Sequence, residues 1–104
     1  METKFVYVTA SSLPEAKKIG RHLVEKRLAA CVNILGGIHS LFWWEGRVQE
    51  AEEAAFIAKT AADRVPSLIE AVKENHSYEC PCVVTLSIEE GNPDFLKWIV
   101  DETG

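Results

Sequence analysis

Leu28-Ala29-Ala30-Cys31-Val32-Asn33-Ile34 opens the stretch that decides the fold. It continues through Phe42-Trp43-Trp44-Glu45-Gly46-Arg47 and returns through Ala55-Phe56-Ile57-Ala58-Lys59-Thr60. Residues 28–60 read as one long β-ribbon. Each arm has about 14 residues or more, against a usual strand of roughly 5–6. Trp44-Glu45-Gly46-Arg47 forms the turn, with Gly46 able to take a positive φ. Gly36-Gly37 predicts a bulge or bend within the first arm. The second arm sends two signals. Residues 49–55 favour helix by propensity. Val48, Phe56, Ile57 and Thr60 look strand-like, and a tight turn after an aromatic strand predicts a returning partner.

Upstream of the ribbon, Phe5-Val6-Tyr7-Val8 is a short β-branched and aromatic run, hence a strand. Ser12-Leu13-Pro14-Glu15 has the form of a capping box. Pro14 sits in the first helical turn, where its missing N–H costs nothing. The helix that follows places Ala16, Ile19, Gly20, Leu23, Val24 and Leu28 on one face. Downstream, Asp63 is expected to cap a second helix carrying Val65, Leu68, Ile69 and Val72. After the loop Asn75-His76-Ser77-Tyr78-Glu79-Cys80-Pro81, residues 82–88 alternate. Cys82, Val84, Leu86 and Ile88 share one face; Val83, Thr85 and Ser87 share the other. Asn92-Pro93 caps a last helix expected to turn Phe95, Leu96, Trp98 and Ile99 inward. The order β-α-β-β-α-β plus a terminal helix is α+β, the split-βαβ or ferredoxin-like arrangement.

The 104 residues suit one domain, residues 1–104. Its 47% hydrophobic and 26% charged content is ordinary for a globular protein. A net charge of −5 excludes a nucleic-acid partner that would need a basic stripe. No apolar run suits a secretory signal or a membrane span, so no membrane partner is expected. Three cysteines give no disulfide framework and are read as reduced thiols in the cytosol.

A ribbon this long strains a small domain. Its edges carry unpaired N–H and C=O groups that proteins pair or cover. Phe42, Trp43 and Trp44 are too large to leave together in water. Both demands are met by other copies of the chain in a closed ring.

Several segments together resemble the CutA, or divalent-cation-tolerance, family. They are Lys26-Arg27-Leu28-Ala29-Ala30-Cys31-Val32-Asn33-Ile34, Phe42-Trp43-Trp44-Glu45-Gly46, Lys59-Thr60, His76-Ser77-Tyr78-Glu79-Cys80-Pro81, and Gly91-Asn92 with Leu96-Lys97-Trp98-Ile99. The resemblance implies a ferredoxin-like subunit, a cytosolic homotrimer with interlocking hairpins, and a link to metal tolerance that includes copper binding in some members. It also makes the second ribbon arm a strand. No enzyme reaction follows from it, and no catalytic residue is assigned. Two departures matter. The family loop usually reads His-Pro-Tyr-Glu, and Ser77 stands at the proline here. The position after Pro81 is usually acidic and is Cys82 here. In some relatives copper ligands come from a first-strand cysteine and that acidic site; Val8 and Cys82 stand there in this chain, so that set does not carry over intact.

His76, Cys80 and Cys82 form the one ligand-like cluster, with copper or zinc the cations that suit it. The competing reading makes Cys82 a small core residue and His76 a helix C-cap. Trp44, Lys59, Tyr78 and Glu79 lie in the matched motifs and are expected to line an intersubunit crevice, or else only to brace the interface. Cys31 is expected as a buried filler. Glu50 and Glu52 share a strand face with Glu53 opposite, and read as solvated charges guarding an edge. A trimeric small-molecule sensor with the architecture of PII signalling proteins is the alternative function. An acylphosphatase-like enzyme is a third class, disfavoured by the lack of arginine in Thr9-Ala10-Ser11-Ser12.

Overall fold

A computed structural model describes residues 1–104. The elements are β1 (Thr3–Ala10), α1 (Leu13–Glu25), β2 (Cys31–Trp44), β3 (Arg47–Ala61), a 3₁₀ turn (Ala62–Arg64), α2 (Val65–Asn75), β4 (Val83–Ile88) and α3 (Pro93–Glu102). They form a four-stranded antiparallel sheet in the order β2-β3-β1-β4. This is the expected ferredoxin-like arrangement.

The second ribbon arm is a strand throughout. β3 pairs with β2 from Cys31↔Lys59 to Trp44↔Arg47, so cross-strand pairing overrides the helical propensity of residues 49–55. The turn is of the primed hairpin kind, with positive φ at both Glu45 (51°) and Gly46 (76°). The register shifts between Leu35 and Ile38, and Gly37 takes φ 70° there, as the glycine pair predicts. β1 pairs with β3 only over Ala54–Ala61. The part of the hairpin beyond Ala54 therefore projects past the body, and the molecule measures 44 × 25 × 22 Å.

Strand alternation divides the sheet. Val6, Val8, Ala54, Phe56 and Ala58 turn to one side and are buried against Ala16, Ile19 and Leu23 of α1 and Leu68 and Val72 of α2. Val32 and Ile34 pack on the same core. Gly20 lets α1 approach closely: a Cβ there would lie 2.9 Å from Val32 Cγ1. The opposite face, with Phe5, Tyr7, Leu35, Val84 and Leu86, is left open. Leu86 is 70% exposed and Val84 54%.

Some expectations need correction. Asp63 makes no capping bond; it lies in the 3₁₀ turn, and Arg64 occupies the N-cap of α2. Of the α3 residues expected inward, only Ile99 is buried, while Phe95 and Trp98 stack on each other at 5.5 Å, each 41% exposed. Val24 is exposed, and α1 stops at Glu25, short of Leu28. The chain leaves that helix through Arg27, at φ 57°, and the Leu28 N–H reaches back to the Leu23 carbonyl at 2.9 Å. Cys31 is half-buried on the open sheet face, paired across from Lys59.

Candidate functional site

The overhanging hairpin and the loop of residues 76–82 enclose a cleft of about 610 Å³. Thr9, Ser40, Phe42, Trp44, Gln49, Glu53, Tyr78, Glu79, Cys80 and Cys82 line it. Antiparallel register explains the hairpin wall: Phe42 faces Gln49 across the ladder, and Trp44 faces Arg47, so the two rings share a side with Gln49 and Glu53. Glu50 and Glu52 turn to the other side, beside His39, as the alternation predicts; His39 Nε2 lies 3.8 Å from Glu50.

The loop is held in place by α1 and β1. Glu15 is the anchor. Its carboxylate accepts from the Ser11 N–H and hydroxyl, both at 2.9 Å, and from the Ser77 N–H at 2.9 Å. The Ser12 hydroxyl accepts from the Glu15 N–H at 3.2 Å. The capping box is thus half conventional: the carboxylate returns to Ser11 and extends to a loop far along the chain. Burial disfavours its charge, but the bonds from Ser11 and Ser77 outweigh that and hold Glu15 down at a pKa of about 2.

His76 sits at the C-cap of α2. Its Nδ1 accepts from the Tyr78 N–H at 3.0 Å, which leaves Nε2–H to donate to the Thr9 carbonyl at 2.7 Å. The imidazole also packs against the Tyr78 ring at 4.7 Å. The Tyr78 hydroxyl crosses the cleft to donate to Glu53 Oε2 at 2.6 Å. Burial first, and then the Glu53 carboxylate, push that hydroxyl up to about 12. Tyr78 therefore stays a neutral donor across the physiological range.

Of the four residues expected in a crevice, Trp44, Tyr78 and Glu79 line this cleft and Lys59 does not. Lys59 lies six positions along β3 from Glu53, roughly 20 Å away. There its ammonium bonds Asn33 Oδ1 and sits 5.7 Å from the Phe5 ring centroid. Of the ligand-like cluster, Cys80 and Cys82 reach the cleft, Cys80 exposed and Cys82 half-buried. His76 adjoins it with both ring nitrogens engaged. No three His, Cys, Asp or Glu side chains of the one chain stand grouped to hold a metal ion. Thr9, Ser40, Phe42, Gln49 and Glu53 complete the lining beyond the sequence expectation. Alternation and the hairpin register could have paired Phe42 with Gln49; the sequence alone carries no signal that the 76–82 loop covers them.

The chain matches the family described as CutA1 divalent ion tolerance protein over residues 4–102. The divalent-cation tolerance protein CutA of Archaeoglobus fulgidus is 50% identical over 99 residues, covering 95% of each chain. The chloroplastic protein CutA 1 of rice is 42% identical over 98 residues; these cover 94% of this chain and 55% of the rice protein. Among solved structures, that described as the periplasmic divalent cation tolerance protein CutA of A. fulgidus superposes with a TM-score of 0.95 at 45% identity, covering 98% of this chain and 99% of that one. With the ferredoxin-like sheet, the projecting hairpin and this match along almost its whole length, the chain belongs to the CutA1 divalent ion tolerance protein family.

Proposed function

We propose that this protein is a homotrimer that binds a soft cation, copper before zinc, at the hairpin cleft and serves the response to metal ions. One observation carries the reading: Cys80 and Cys82 open into the same cleft, whose walls also carry Glu53 and Glu79. Thiolates select soft ions, and nearby carboxylates favour any cation. Two thiols suit Cu(I) better than zinc, whose structural sites take four ligands. His76 can serve as a third donor only by giving up its bond to Tyr78 or to Thr9. The metal would supply no reaction step; the chain's part is to hold and shield it.

That other copies cover this chain is inferred from the open sheet face, and the number three follows the CutA resemblance. Phe5, Tyr7, Val84 and Leu86 lie on one face of the sheet and stay exposed, although α3 packs against β1 and β3. Burying such side chains stabilises by roughly 1.5–3 kcal/mol each. The three free thiols further suit a reducing compartment, and we assign the protein to the cytosol.

Calorimetry with Cu⁺ under a reductant tests the metal reading. Wild type is expected to bind, and Cys80→Ser and Cys82→Ser each to weaken binding by at least about tenfold. Unchanged affinity in both variants would remove the thiols from the site. A second reading, a small-molecule sensor of PII-like architecture, is favoured by the size of the cleft and its three aromatic rings, which exceed what one ion needs.

A further inference from the structure

We propose that the hairpin cleft binds an organic cation: an ammonium, quaternary or primary, carried on a small apolar body. This deepens the small-molecule reading and is independent of the thiol–metal one. The cavity, at about 610 Å³, falls within the range of small-molecule sites. Its walls combine Phe42, Trp44 and Tyr78 with the carboxylates of Glu53 and Glu79, and Gln49 and Ser40 add neutral polar groups. Within the one chain, no lysine, arginine or histidine lines it. The one cation that the sequence motifs associate with the crevice, Lys59, is withdrawn along β3 and occupied by Asn33 and the Phe5 ring.

That composition selects by charge. Aromatic faces attract a cation through the ring quadrupole, most strongly on tryptophan, and carboxylates add Coulomb attraction. A phosphate or carboxylate ligand would meet two carboxylates and no counter-charge. A neutral apolar ligand would gain burial alone. The Tyr78 hydroxyl fixes Glu53 across the cleft at 2.6 Å and, being held near 12, does not itself ionise to compete.

Three soluble isosteres separate these cases: choline, its neutral carbon analogue 3,3-dimethylbutan-1-ol, and the anion 3,3-dimethylbutyrate. Binding to the intact oligomer is followed by ligand-detected NMR, with sedimentation confirming assembly. Choline is expected to bind about tenfold more tightly than the alcohol, and the anion not at all. Glu53→Gln and Trp44→Leu are each expected to erase most of the preference, while Glu50→Gln, on the opposite face of the hairpin beside His39, leaves it unchanged. Equal binding of choline and the alcohol would overturn the proposal. So would no binding to a correctly assembled oligomer, which would mean that a neighbouring copy fills the cleft. If Cu⁺ still binds through the thiols in that case, the metal reading stands and this one falls.

Discussion

Glu15 joins three parts of the molecule, so its protonation has a local cost. Its carboxyl titrates at about 2 in the folded chain against 4.5 for the ordinary group. A carboxyl with a depressed folded pKa contributes stability above the unfolded value and loses it as pH falls toward the folded one. The loop of residues 76–82 is therefore expected to loosen between about pH 4.5 and 2. Hydrogen exchange at Ser77 and Tyr78 measures this. Glu15→Gln should show the loosened exchange already at pH 7 and little further change on acidification. Gly20 makes a second residue-scale case. Alanine gains about 1 kcal/mol of helix propensity. It also pushes a methyl to 2.9 Å from Val32 Cγ1 and 3.2 Å from Ile34 Cδ1. Overpacking costs roughly 1–3 kcal/mol. Gly20→Ala is expected to be net destabilising by about 1 kcal/mol in urea unfolding; a rise in stability would mean that α1 shifts freely on the sheet.

At the scale of elements, the hairpin dominates. Both turn residues hold positive φ, and Gly46 does so without the Cβ penalty. Gly46→Val should cost about 1–2 kcal/mol and fray the Trp44↔Arg47 end of the ladder, read by exchange of the hairpin amides. Most of this element was legible in the sequence: the turn, the bulge at the glycine pair, and the faces of the glutamates. Residues 49–55 were ambiguous because propensity is local while strand pairing is not. Asp63 failed as a cap because a 3₁₀ turn intervenes before α2. Phe95 and Trp98 were misjudged because helical periodicity gives a face but not what covers it. The cleft was half legible. Trp44, Tyr78, Glu79, Cys80 and Cys82 came from motifs, while Glu53 and Phe42 needed the loop to be docked, and that docking runs through Glu15, a contact 62 residues long.

The whole molecule has two unequal sheet faces. One carries the core under α1 and α2. The other is apolar and open from Phe5 and Leu86 to the cleft, and the hairpin tip leaves Trp43 73% exposed. An exposed apolar surface of this kind marks an interaction site. Replacing Leu86 with glutamate puts a charge on the open face, at the edge strand β4 beside Phe5. It should dissociate the assembly without unfolding the subunit, because Leu86 contributes nothing to the core cluster. Size-exclusion chromatography with circular dichroism checks both halves of that expectation. The most direct measurement of the account is sedimentation of the wild-type protein diluted to nanomolar subunit concentration. A persistent trimer is the predicted result. A folded, compact monomer would contradict it, because the open face and the projecting hairpin would then have no partner.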